Sequence, residues 1–130
     1  MPAPLLASLC GDEEIAAALS DTAQIKAMLA VEAALAEASS ACGWISSEAA
    51  DSIAAVAGNF TPDWRNLAAG MARDGVVVPA LVRQLREQLP EPHRAALHKG
   101  ATSQDIVDTA LMLQLAGIFE IYETRLAALF

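Results

Sequence analysis

Apolar positions along this chain recur at intervals of three and four over most of its length, the spacing that gathers them on one face of an α-helix. Asp12 to Leu19 reads as a short first helix, after which Ser20 or Asp21 offers an N-cap for a second. Ile25, Met28, Leu29, Val31, Leu35, Ala36 and Ala38 carry that second helix to a stop at Cys42-Gly43. It would be about 20 residues and roughly 30 Å long. Ser46 or Ser47 caps a third helix with Ala50, Ile53, Ala54, Val56 and Ala57 on one side, ending at Gly58-Asn59. Pro62 suits the N1 position of a fourth, Asp63 to Ala72. Asp74-Gly75 is a turn, and Val76-Val77-Val78-Pro79 is barred from a central strand by its proline. That stretch reads as an extended or bent entry to a helix from Ala80 to Gln88. Pro90 and Pro92 then bracket a loop in which Glu91 to Leu97 forms one helical turn, and Gly100 breaks the chain.

The last segment, Asp105 to Phe130, departs from this one-sided pattern. Ile106, Leu111, Met112, Leu113, Leu115, Ile118, Phe119, Ile121, Tyr122, Leu126 and Leu129 cover nearly the whole circumference of the predicted helix. A helix that is apolar all round has to be surrounded. Five short helices are too few to enclose roughly 37 Å of it. The expectation is burial by partner chains or by further helices of a longer protein, and the lack of a C-cap glycine or proline before Phe130 favours the longer protein.

Composition narrows the class. A chain of 130 residues with 55% hydrophobic content can build one core, and its many alanines with only 7 glycines and 6 prolines favour an all-α protein over a sheet. The formal charge of −8 disfavours a nucleic-acid binder. Charge is uneven, however: six of the eight cationic side chains, Arg65, Arg73, Arg83, Arg86, Arg94 and Lys99, fall between Trp64 and Gly100. That basic stretch points to a small anion held near its end. Cys10 and Cys42 lack metal-ligand spacing and are expected to act as reduced, small hydrophobes. Met1 to Leu6 has neither the basic start nor the apolar run of a secretory signal, and no segment has transmembrane character, so a cytoplasmic location is expected. No phosphate-binding glycine loop or His-Glu-x-x-His pattern occurs, and neither a metal nor another cofactor is expected.

The candidate chemistry is concentrated in His98-Lys99-Gly100-Ala101-Thr102-Ser103-Gln104-Asp105. Thr102 or Ser103 can cap the last helix, and Asp105 suits its electropositive start. A cap needs one hydroxyl, whereas two hydroxyls, a carboxamide and free backbone N–H groups converge here, an arrangement suited to gripping a carboxylate. The His98 imidazole can hydrogen-bond a second carboxylate or move a proton. Lys99 adds positive charge if it turns inward.

The string His98-x-Gly100-x-Thr102-Ser103-x-Asp105-x-x-Asp108-Thr109-Ala110 resembles the first of three signature regions of the aspartase and fumarase superfamily, in the form shared by adenylosuccinate lyases and 3-carboxy-cis,cis-muconate cycloisomerases. Gln104, the run Ala27 to Ala36, Gly43-x-Ile45 and Val78 to Leu85 are similar to the cycloisomerase N-terminal region, and the Arg-Tyr element usual near the start of adenylosuccinate lyases is absent. Lys99 stands where an aromatic residue is common. The resemblance implies an all-α fold in which residues 1–97 form an N-terminal helical domain and residues 98–130 the signature loop and first part of a long bundle helix. It implies a homotetramer assembled through such helices, with active sites shared between subunits.

For function, the resemblance implies lactonisation of 3-carboxy-cis,cis-muconate to 4-carboxymuconolactone in aromatic catabolism. His98 would be catalytic, and Thr102, Ser103, Gln104 and Lys99 would bind a small polycarboxylate. The principal acid–base groups would lie in the second and third signature regions, absent from this chain, so these 130 residues alone are expected to be inactive. Two alternatives stand beside it: a fumarate-eliminating lyase or sulfomuconate cycloisomerase on the same fold, and a helical assembly module without catalysis. Neither nucleic acid nor membrane is expected as a partner.

Overall fold

The computed structural model describes residues 7–129, with side chains from Leu9 onward. The stretch Met1 to Leu6, read above for a targeting signal, and Phe130, read above as the end of the last helix, lie outside the described residues. Among the described residues seven α-helices follow in order: α1 (Ala7–Cys10), α2 (Glu13–Ala18), α3 (Asp21–Ala41), α4 (Ser47–Gly58), α5 (Trp64–Asp74), α6 (Val78–Gln88) and α7 (Ser103–Ala127). A 3₁₀ segment, Glu91–Ala96, links α6 to the loop before α7, and no strand occurs among the described residues.

Local capping chemistry sets most helix starts. Asp12 Oδ1 accepts from the Ile15 N–H at 3.1 Å, Ser20 Oγ from Ala23 at 3.2 Å, Ser46 Oγ from Ala49 at 3.2 Å and Asp63 Oδ1 from Asn66 at 3.1 Å. Each satisfies a backbone donor that the first turn leaves without an intrahelical partner. Asp63 therefore displaces the expected role of Pro62: the proline lies outside α5, and the aspartate side chain makes the cap. The entry to α6 also differs from the expected extended segment. Val77 is already in the right-handed helical region (φ −79°, ψ −24°), the helix begins at Val78, and Pro79 falls in the first turn, where its missing N–H removes no helical bond.

The core is built around α3, which packs most extensively against α4 and α7. Ile25, Met28, Leu29, Ala36, Ile53, Leu67, Val78, Leu81, Leu85, Leu97, Ile106 and Ala110 are buried in one cluster. The start of α7 thus belongs to the same core as the preceding helices. Gly70 of α5 lies against Ala80 of α6, where an added Cβ would come within 2.4 Å of the Ala80 Cβ. Only a hydrogen side chain lets α5 and α6 approach so closely. Cys10 and Cys42 are free thiols and both exposed, and Cys42 follows directly after α3.

Beyond its first turns α7 leaves the core. Ile118 is buried, but Met112, Phe119 and Leu126 are 56%, 60% and 57% exposed. Polar tethers still tie this part to α2 and the residue before it: Gln114 Nε2 donates to the Ala18 carbonyl at 2.8 Å, and the Arg125 guanidinium bonds the carboxylates of Asp12 and Glu14. No helix among the described residues is long and apolar enough to cross a membrane.

Candidate active site

The polar run opens on a strained residue. His98 has φ +59°, in the left-handed region where a non-glycine residue is uncommon. What holds it there begins on α6. The Arg86 guanidinium donates to the carbonyls of Arg94, at 3.2 Å, and Leu97, while Arg94 Nε donates to the Leu89 carbonyl at 3.0 Å. Leu97 is buried and anchors the segment, and His93 Nδ1 lies 2.8 Å from Ser52 Oγ of α4. On the other side Lys99 Nζ donates to the Trp44 carbonyl at 2.9 Å. Gly100 follows at φ +82°, with the Trp44 ring 3.4 Å from where a Cβ would stand.

Several cations of the basic stretch therefore brace loops. Arg86, Arg94 and Lys99 bond backbone carbonyls, and Arg73 pairs with Asp74 at 2.7 Å. Part of the donor capacity expected to hold an anion is thus directed to the protein's own loops and to Asp74.

The imidazole itself is held by α3. His98 Nδ1 lies 2.6 Å from Oε1 of Glu32, whose side chain is fully buried. Burial pushes the Glu32 carboxyl above the ordinary carboxylate range; the nearby imidazole and, more weakly, Arg86 act in the opposite direction. Its second oxygen, Oε2, has no hydrogen-bond partner among the described residues. Glu32 was not among the expected site residues. One sequence signal could have found it: Ile25, Met28, Leu29, Glu32, Ala36 and Ser39 form the buried stripe of α3, so Glu32 places a charge in the middle of a core face.

At the start of α7 the other expected residues divide. Thr102 is the N-cap, and with Asp105 it forms a reciprocal capping box. The Asp105 N–H donates to Thr102 Oγ1 at 3.3 Å, while the Thr102 N–H and hydroxyl donate to Asp105 Oδ2 at 2.7 and 2.8 Å. The Thr102 N–H, then its hydroxyl, hold the Asp105 carboxyl below its ordinary range, and the nearby His98 imidazole adds to this more weakly. Gln104 Nε2 donates to Asp108 Oδ1, one turn along α7, at 2.6 Å. Ser103 is half-buried and makes no side-chain hydrogen bond to a described residue. The site therefore offers the Ser103 hydroxyl, the backbone N–H groups of the first turn and an anchored imidazole, all close to one helix N-terminus. Such a set can hold carboxylates and exchange a proton with a bound acid. No cluster of metal-binding side chains occurs among the described residues.

Comparison with known proteins identifies relatives of the chain. No protein-family model matches the chain. It is 35% identical over 127 residues to a 3-carboxy-cis,cis-muconate cycloisomerase of Bradyrhizobium diazoefficiens, covering 95% of this chain and 28% of that protein. It is 40% identical over 114 residues to an N-acetyl-S-(2-succino)cysteine lyase of Enterococcus italicus, covering 83% of this chain and 24% of the relative. Archaeal adenylosuccinate lyases also match, at 33% and 34% identity. Among solved structures, the 3-carboxy-cis,cis-muconate lactonizing enzyme from Pseudomonas putida superposes with a TM-score of 0.85 at 31% identity, over 92% of this chain and 28% of that one. With its all-α fold, the chain belongs to the fumarase/aspartase lyase superfamily. It spans about a quarter of the length of these relatives.

Proposed function

We propose that this chain supplies the carboxylate-binding corner of a 3-carboxy-cis,cis-muconate cycloisomerase. The observation that carries the reading is the anchored His98 beside the unpartnered Ser103 hydroxyl at the α7 N-terminus, in a chain whose similarity to cycloisomerases covers nearly its whole length. The reaction is an isomerisation: one substrate carboxylate adds to a conjugated double bond, and a proton is delivered to the carbon next to another carboxylate. Negative charge grows on that second carboxylate during addition, so preplaced donors lower the barrier. Ser103 and the first-turn N–H groups supply such donors, with Gln104 and Thr102 fixing the geometry of the turn. His98 bonds a carboxylate and assists proton movement, and Lys99 braces the loop through Trp44. The exposed apolar length of α7 fits assembly of four copies of the complete protein through their long helices.

A second reading is a lyase that releases fumarate from a succinyl adduct. The relative named as an N-acetyl-S-(2-succino)cysteine lyase favours it. Both reactions need a carboxylate grip beside a proton-transfer group, so the corner alone does not choose between them. The complete protein containing this chain is expected to remove the diene absorbance of 3-carboxy-cis,cis-muconate. No turnover, beside clear cleavage of adenylosuccinate or a succinylated thiol, would overturn the proposal. In the complete protein, Ser103→Ala is expected to weaken substrate binding by roughly 1–3 kcal/mol, the usual range for a hydrogen bond to a charged group. Unchanged kcat and KM would leave Ser103 as part of the helix start only. The 130-residue chain alone is expected to be inactive.

A further inference from the structure

Glu32 is unusual in this core. Among the described residues it is the one buried side chain that can carry a full charge, and it occupies a stripe position on α3 that an apolar residue would fill at lower cost. Its partner is the residue with the strained backbone. A φ of +59° at a non-glycine residue persists only where the surroundings fix it, and the 2.6 Å contact between Glu32 Oε1 and His98 Nδ1 joins the buried carboxylate to that residue. The imidazole's other nitrogen has a different environment. Nε2 makes no hydrogen bond to a described residue and is not among the buried unpartnered atoms, so it reaches the surface.

We propose that Glu32 is the positioning residue for His98: its carboxylate accepts from Nδ1–H, fixes the ring tautomer, and leaves Nε2 as the atom offered to a bound carboxylate. The remaining charges are arranged consistently. Arg86 of α6 acts on the carboxylate at longer range, Asp105 of α7 lies within electrostatic reach of the imidazole, and Lys99 is turned away to the Trp44 carbonyl. A histidine that uses one nitrogen for an orienting carboxylate presents the other in a single protonation form at a defined place. This inference rests on the proposed role of His98 at the substrate-binding corner.

Two experiments separate the pair from the reading beneath it. In the 130-residue chain with ¹⁵N-labelled histidine, His93→Gln leaves one imidazole to observe. The ring is expected to carry its proton on Nδ1, and Glu32→Gln is expected to abolish that preference. Glu32→Met, which keeps the volume without a polar group, serves if the glutamine variant does not fold. In the complete protein assayed on 3-carboxy-cis,cis-muconate, Glu32→Gln is expected to lower kcat about tenfold or more, the scale seen when an orienting partner is lost, with KM changed less than kcat. An unchanged tautomer, or unchanged kcat in Glu32→Gln when His98→Asn is impaired, overturns the positioning role alone. Full activity in His98→Asn overturns the function proposed for His98 as well.

Discussion

The two ends of α7 obey different rules although they belong to one helix. Its start is held by burial and capping: Ile106 and Ala110 lie in the core, and Thr102 and Asp105 close the first turn. From Met112 onward most of the large apolar side chains face outward, and polar tethers to α2 and its flanks supplement the little packing that remains. A helix satisfied at one end and open at the other shows where stability and assembly separate. Burial at the start stabilises the chain itself, whereas the apolar surface further along is available to whatever covers it.

Substitutions at the two ends sharpen that contrast. Ile106→Ala is expected to destabilise the chain by about 2–5 kcal/mol, the cost of lost burial plus a cavity. Phe119→Ala should stay within about 0.5 kcal/mol in the monomeric chain, because its side chain already meets solvent. Denaturant titration of both variants makes the test; equal losses would place Phe119 within the core. Thr102→Ala falls between the two, about 1 kcal/mol from the lost cap, measured as a shift of the same transition.

A local effect is set by pH at the far end of the helix. Hydrogen bonds from the Arg125 guanidinium, then from the Ile15 N–H, hold the Asp12 carboxyl at about 2, below its ordinary 3.8. A carboxyl lowered on folding contributes stability above its unfolded value, and that contribution is lost as pH falls through the folded one. Between about pH 4 and pH 2, amide exchange in α2 should therefore speed up before exchange in α3 does. Arg125→Gln should remove this early step, and simultaneous loosening of both helices in the unsubstituted chain would count against it.

Periodicity made the helices legible. Ser20 and Ser46 were readable as cap candidates, beside Asp21 and Ser47, and the all-round apolar pattern of the last helix was readable as a surface needing cover. The misread boundaries have local causes. Proline suits the first helical position, but Asp63, one residue later, has an acceptor side chain and so sets the start of α5. The valine run before Pro79 looks extended by type, yet Val77 is helical because Val78, Ala80 and Leu81 are drawn fully into the core. The site was legible only on its local side. Thr102 to Asp105 interact within one turn, whereas the partner of His98 lies 66 residues away on α3. A contact of that separation is set by how α3 and α7 pack, and a single sequence records it only as a charge out of place on an apolar stripe.

The left-handed backbone at His98 also governs how that position can be probed. Asparagine, which tolerates this conformation, and glycine, which adopts it freely, remove the imidazole while leaving the path of the loop undisturbed. Valine or isoleucine would force the chain out of that conformation and carry Gly100 and the start of α7 with it. A substitution series at 98 thus reports two quantities at once, and the asparagine variant is the one whose effect belongs to the ring.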